Sequence, residues 1–295
     1  MTRFELPGPL DLVRTMGPLI GPARSVGQVA EGEAWRAART PVGPSTLRLV
    51  IGDGVVDAEA WGDGAEWSIA NVPRLLGFED DPSAFEPDQP LLRDLHRKAP
   101  GARFGATLGA FEVLVPTVLG QKVTTKESHR GYRRLVEAHG DLAPGPGGLR
   151  LPPGPEVLAE LPYFEYHPLG IERKRADIIR GVAARVGRLE EIVTMNRDDA
   201  VRRLMAFEGI GPWTAAFVMS TALGDADAVP VGDYHLPNMV AWALAGEPRA
   251  DDARMLELLE PYRGHRGRVI RLLKQAGVHA PKYGPRSAVR GFEDT

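Results

Sequence analysis

Asp233 is the acid with the most informative surroundings. It lies in Pro230-Val231-Gly232-Asp233-Tyr234-His235, 22 residues after Gly211, at the opening of a predicted helix. A fixed carboxylate can stabilise developing positive charge and can orient or deprotonate a water. An aspartate at a helix start can also be a cap and nothing more. Upstream, Glu208-Gly209-Ile210-Gly211-Pro212 separates two predicted helices. The glycines allow a tight turn and close backbone approach, and Pro212 suits a first helical turn. Ile210 is placed to anchor this hairpin in the core. The exposed amides at the start of the second helix make a cradle for phosphate. The carbonyls of Met205, Phe207 and Ile210 are in place to hold a monovalent cation that bridges to the same phosphate. A glycine turn between helices is a weak signal by itself. The acid at a fixed distance behind it is what makes this one informative.

The elements that must position these residues are mostly helical. Apolar spacing predicts helices at about 155–161, 171–186, 197–207, 212–223, 235–245 and 251–276. Leu108 to His139 reads as helical throughout, with Pro116 as a candidate kink. Residues 143–155 read as a Pro/Gly-rich connection, and no strand is expected after residue 110. The first hundred residues read differently. Glu33–Thr40 and Thr46–Ile51 predict strands, Asp53-Gly54 a hairpin turn, and Val55–Trp61 the returning strand. Asn71–Leu76 predicts a short helix, and 79–90 a loop. The expected fold class is mainly α with a small α/β N-terminal domain. The expected division is 1–104, a helical body at 105–280 and a basic tail at 281–295.

Composition sets outer bounds. The 295 residues contain no cysteine, which excludes disulfides, thiolate metal sites and cysteine nucleophiles. No apolar run reaches 18 residues, so no membrane span is expected. The N-terminus lacks a signal core, and a cytoplasmic protein is expected. The net charge of −3 speaks against a nucleic-acid binder. The distribution speaks for one. Between Pro261 and Arg290 there are eight Lys or Arg and no Asp or Glu, among them Arg263, Arg266, Arg268, Arg271 and Lys274. Such a segment fits phosphate contact, or else a solvated helix face. Asp225 and Asp227 read as solvated loop acids, and Asp198 and Asp199 as a helix start.

The segment L-x-x-F-x-G-I-G-x-W-T-A, followed by an apolar-Pro-x-x-Asp-Tyr stretch, resembles the helix-hairpin-helix DNA glycosylase superfamily. Within it, the bacterial 3-methyladenine DNA glycosylase II group is most similar. Phe111-Glu112, six further residues, and Leu119-Gly120-Gln121-Lys122-Val123 are similar to that group's helix ending in L-G-Q-x-V. Gly170 to Ile179 resembles its next motif helix. The resemblance covers most of residues 70–276. It implies an enzyme that acts on double-stranded DNA containing a damaged base, works as a monomer and requires no cofactor. Asp233 would be the catalytic carboxylate that steadies an oxocarbenium-like sugar. Trp213, Phe217, Tyr234 and His265 would line the pocket for a flipped base. Trp213, Phe217 or Tyr234 can instead be core, and His265 can instead be a phosphate contact or a solvated surface residue.

Further contacts to DNA are implied at Gly209, Ile210, Gly211 and Thr214 of the hairpin and at Arg263 and Arg266. Gln121 or Lys122 would fill the gap left by the flipped base, where the family usually has an apolar wedge. Strand-cutting members carry a lysine where this chain has Trp213, so a monofunctional enzyme is expected. A purine alkylated on nitrogen is already a good leaving group, and cation–π attraction favours it in an aromatic cleft. Two alternatives stay open. One is a glycosylase for oxidised or deaminated bases. The other is a non-catalytic helix-hairpin-helix DNA-binding protein, which would have no need of Asp233.

Overall fold

The computed structural model describes residues 1–281. Lys282, Arg286, Arg290 and nearly all of the expected basic tail lie outside the described residues. Five strands form an antiparallel sheet in the order β1-β5-β4-β3-β2. They are β1 (Thr2–Glu5), β2 (Gly27–Ala30), β3 (Glu33–Thr40), β4 (Gly43–Gly52) and β5 (Val55–Trp61). Asp53 and Gly54 turn the β4–β5 hairpin with φ of 46° and 77°, as an Asp-Gly turn requires.

Helix α1 (Leu12–Ile20) packs Leu12, Met16 and Leu19 against Leu47, Leu49, Val56 and Ala58 of the sheet. Its sequence hides it, because Pro18 inside the element reads as a breaker. Asp11 caps it by accepting from the Arg14 amide at 2.9 Å. Short helices α2 (Ala65–Ala70) and α3 (Val72–Leu75) follow, then α4 (Pro90–Lys98).

The remaining helices are α5 (Ala110–Leu119), α6 (Thr125–His139), α7 (Pro155–Glu160), α8 (Tyr163–Tyr166), α9 (Arg173–Ala183) and α10 (Val186–Glu190). They continue with α11 (Arg197–Met205), α12 (Pro212–Ala222), α13 (Leu236–Ala245), α14 (Asp252–Leu259) and α15 (Arg266–Gln275). Three sequence expectations need correction. The stretch 108–139 is two helices, not one kinked at Pro116. Pro116 stays inside α5, and the break falls at Gly120–Val123, where Thr124 and Glu127 form a reciprocal capping box that restarts the helix. The stretch 251–276 is likewise divided, by a 3-10 turn at Glu260–Tyr262. A two-residue ribbon, β6 (Asp141–Leu142) with β7 (Arg150–Leu151), stands where no strand was expected.

The helices bury two separate apolar clusters. One holds residues of α5, α9, α11 and α12, including Leu114, Ile179, Leu204 and Val218. The other holds residues of α13, α14 and α15, including Val240, Met255 and Leu273, together with Leu92 of α4. Helix α4 therefore packs with the C-terminal helices, not with the sheet that precedes it in the chain. The sheet is fixed to the helices by a buried ion pair between Arg36 of β3 and Glu112 of α5. No helix of the described residues is long and apolar enough to cross a membrane.

Candidate active site

The hairpin between α11 and α12 is built on one obligatory glycine. Gly209 has φ of 78°, and a Cβ there would fall 2.4 Å from Cδ1 of Ile178. Both backbone conformation and space therefore demand glycine. Ile210 is buried, and its amide donates to the Phe207 carbonyl at 3.1 Å. Gly211 differs. Its φ of −99° is ordinary, and a Cβ would meet nothing within 4 Å. Its missing side chain opens the approach to the α12 N-terminus from outside. Pro212 occupies the first turn, as its missing amide hydrogen allows.

Helix α12 carries Trp213 and Phe217 one turn apart, with ring centroids 4.7 Å from each other. The other faces of α12 are consumed by the first core, through Ala215, Val218, Met219 and Ala222. The two rings thus emerge at the seam between the helical clusters. Asp233 lies on the same seam, just before α13. Its Oδ1 accepts from the amides of His235 (2.8 Å) and Leu236 (3.0 Å). Its Oδ2 accepts from the indole Nε1 of Trp213 at 2.9 Å. The two oxygens divide the work: one caps α13 and the other is tied to the aromatic pair. Desolvation acts to raise the pKa of Asp233. The Trp213 and backbone donors and the nearby charge of Lys274 outweigh it, so the carboxyl lies below its ordinary value. Asp233 is an ionised, oriented and weakly basic carboxylate.

Gln121 ties the α5–α6 loop to the hairpin. Its amide nitrogen donates to the Gly209 carbonyl and to the Thr214 hydroxyl, both at 3.0 Å. Thr214 is itself buried. With Gln121 committed, Lys122 is the exposed tip of the loop, in a left-handed conformation with φ of 56°. Gln121, Gly209 and Thr214 are thus joined, and Trp213, the residue next to Thr214, holds Asp233.

The other expected site residues make different contacts. Tyr234 is 82% exposed and stands edge-on to His235. His265 packs on Phe85, 5.6 Å between centroids, and its Nδ1 accepts from Arg268 at 3.4 Å. Phe85 also meets Tyr262, and both belong with the second core. Arg263 pairs with Glu260 at the surface, and Arg266 pairs with Asp227. Asp227 also accepts from the amides of Gly264 and Arg266, so it caps α15 and is not a solvated loop acid. Asp225 likewise pairs with Arg197 and is only 12% exposed. Arg268 forms a buried pair with Asp80. The segment is acid-free only along the chain; folding brings acids to it from a distance. Asp198 and Asp199 do open a helix, behind Asn196 as its cap.

The position of Lys274 is not visible in the sequence, where it is one member of the basic segment. In the fold, α15 brings its ammonium to 5.2 Å from the Phe217 ring centroid. Much of its side chain stays solvent-accessible, yet the surrounding protein lowers its pKa by desolvation, against the opposing pull of Asp233. No local pattern could have found it, because the contact joins α12 to α15. Among the described residues, no group of three or more His, Asp or Glu gathers as a metal-binding cluster.

No family model matches this chain. It is similar to a Mycobacterium tuberculosis protein described as a probable bifunctional transcriptional activator/DNA repair enzyme AlkA. That match is 31% identical over 213 residues, 65% of this chain and 42% of the relative. A Bacillus subtilis DNA-3-methyladenine glycosylase is 29% identical over 180 residues, 59% of each chain. The chain thus spans about half the length of these relatives. Among solved structures, a 3-methyladenine DNA glycosylase from Archaeoglobus fulgidus has the same fold. Its TM-score is 0.77 at 20% identity, over 94% of this chain and 98% of that one.

Proposed function

We propose that this chain is a member of the helix-hairpin-helix DNA glycosylase superfamily and removes alkylated bases from duplex DNA by hydrolysing the bond between base and sugar. The observation that carries this reading is Asp233, held by the Trp213 indole and two backbone amides beside the Trp213–Phe217 pair. Breaking an N-glycosidic bond builds positive charge on the sugar. A carboxylate already fixed by three donors meets that charge with little reorganisation. Because its pKa is lowered, Asp233 is a poor base. Its work is electrostatic, and it orients the attacking water more than it deprotonates it.

The target base must leave the stack to reach this cleft. Lys122, alone at the tip of its loop, is the residue that enters the vacated space. The open side of Gly211 and the amides at the α12 start receive a backbone phosphate. The carbonyls of Met205, Phe207 and Ile210 are hard oxygen donors suited to an alkali cation. The Phe207 oxygen, which accepts one amide, keeps a lone pair for such a cation. Bound there, it would offset phosphate charge and take no part in the bond cleavage. The protein acts as a monomer and leaves an abasic site, since Trp213 stands where strand-cutting relatives have an amine.

The test is release of bases from duplex DNA carrying either methylated purines or the neutral alkylated base 1,N6-ethenoadenine, by wild type and by Asp233→Asn, with strand cutting measured separately. Release by wild type alone, without a cut, supports the reading. Equal release by Asp233→Asn would reduce the acid to a helix cap. The amine of Lys274 near Asp233 favours one second reading, a lyase using that residue. Borohydride trapping of a covalent DNA adduct that disappears in Lys274→Met would establish it.

A further inference from the structure

One face of α15 carries Arg268, Arg271 and Lys274 at successive intervals of three residues. The first two are engaged internally. Arg268 is paired with Asp80, and its guanidinium carbon lies 5.0 Å from the Phe104 centroid. The Arg271 guanidinium carbon is 3.4 Å from the same centroid, and Arg271 donates to the Arg103 carbonyl at 3.0 Å. Lys274, the last of the series, reaches the Phe217 ring, and Phe217 packs on the indole that holds Asp233. The ring face that would attract a positively charged ligand is therefore already offered a cation by the protein.

We propose that Lys274 is a specificity-determining residue: its ammonium at the Phe217 ring, beside Asp233, disfavours bases that already carry positive charge and sets the cleft for neutral base lesions. The inference rests on the glycosylase reading and narrows its substrate class. Two cations sharing one ring compete for the same quadrupole and repel each other. A neutral base instead offers lone pairs on ring nitrogens or an exocyclic oxygen, and an ammonium donates to these without any proton being transferred. Neutral bases are the poorer leaving groups, so they gain most from such a donor as negative charge builds on the departing ring. The charged groups acting on Lys274 are Asp233, which favours its ammonium, and Arg271, which opposes it. Arg271 is pushed down to about 10, chiefly by desolvation and then by Arg268.

The experiment compares single-turnover base release from duplexes carrying a neutral lesion, hypoxanthine or 1,N6-ethenoadenine, with release of cationic 7-methylguanine. The proteins are wild type, Lys274→Met and Lys274→Arg. Losing the charge is expected to raise the cationic-to-neutral rate ratio about fivefold. Lys274→Arg, which keeps the charge, should hold the ratio near wild type. An unchanged ratio in Lys274→Met overturns the proposal. A second readout needs no catalysis: quenching of tryptophan fluorescence by 7-methylguanosine against guanosine, with Trp213→Phe as the control for site binding. Wild type should prefer guanosine, and Lys274→Met should shift the preference toward the cation. No shift overturns the proposal whatever the enzyme cleaves. A shift in a protein that releases no base keeps the role of Lys274 and removes the glycosylase reading.

Discussion

Glu112, where the sheet meets the helices, is closed off by the guanidinium of Arg36, which is itself only 6% exposed. Asp233, at the seam between the helical clusters, takes its hydrogen bonds from three neutral N–H donors, while Lys274 stands off at the Phe217 ring. The two arrangements serve different ends. A guanidinium bound directly to a carboxylate cancels its charge toward everything else. Neutral donors fix the carboxylate and leave its net charge facing outward. The pKa directions agree. Desolvation pushes Glu112 up despite Arg36, whereas the donors hold Asp233 below its ordinary value. One acid is a fastening, and the other is a charge kept for use.

The largest effects should separate these two acids. Asp233→Asn is expected to lower base release by about a thousandfold, the scale of losing a preorganised electrostatic contact. Asparagine is an equally good cap, so thermal stability should barely change. Glu112→Gln should do the reverse, because it leaves the Arg36 charge buried without its partner. A loss of about 3 kcal/mol is expected, read by denaturant unfolding, with activity per folded molecule near wild type. If Glu112→Gln lost activity without losing stability, the division between fastening and working acid would fail. Gly209→Ala should cost about 1–3 kcal/mol of stability through strain and the clash with Ile178. Gly211→Ala should cost little stability but weaken DNA binding, because only an external group meets its side chain.

A smaller effect sharpens the account of Asp233 itself. Trp213→Phe keeps a ring but deletes one donor to the charged carboxylate, so the Asp233 pKa must rise. A depressed folded-state pKa contributes stability above the unfolded value, and that contribution disappears as pH falls through the folded value. In wild type, the acid limb of base release governed by Asp233 should therefore lie below the ordinary carboxylate range. In Trp213→Phe it should move to higher pH. A pH–rate profile under single-turnover conditions reads this directly. An unmoved acid limb would mean that the indole does not tune the carboxylate.

The part of this site that was legible in the sequence is the part made by neighbours in the chain. The Gly209 turn, the Asp53-Gly54 hairpin and the helix start behind Asp233 each follow from a few consecutive residues. Contacts across the chain were not legible. Lys274 meets Phe217 only because α15 packs across the seam. The arginines of the same helix looked like a phosphate-facing stripe because Asp80 and Asp227, which neutralise two of them, lie far upstream. Helix α1 was hidden for the opposite reason: a local breaker, Pro18, is overridden by burial of its neighbours Met16, Leu19 and Ile20 against the sheet. The loop at Gly120–Val123 is not legible in the periodicity, which runs straight across it; only the resemblance to a helix ending in L-G-Q-x-V marks it, and the capping box that restarts the chain is visible only as Thr124 and Glu127 three residues apart.

The smallest expected effect falls on Gln121, which joins that loop to the hairpin. Its two hydrogen bonds at 3.0 Å, to Gly209 and Thr214, bridge the element bearing Lys122 and the element whose amides face phosphate. Gln121→Ala removes both. Each such bond contributes about 1 kcal/mol net, and Gln121 is partly exposed, so global stability should fall only slightly. What changes is the relative position of the two DNA-facing elements. Binding of lesion duplex should weaken a few-fold, while the chemical step at saturating enzyme stays near wild type, since neither Asp233 nor Trp213 is touched. Lys122→Ala tests the same surface from the other side. It removes the tip and leaves the tie intact, so its loss should appear in the rate of capturing the flipped base. If Gln121→Ala lowered the chemical step as strongly as Trp213→Phe does, the bridge would belong to the reacting centre. The boundary drawn between charge-keeping and DNA-holding residues would then have to move to include it.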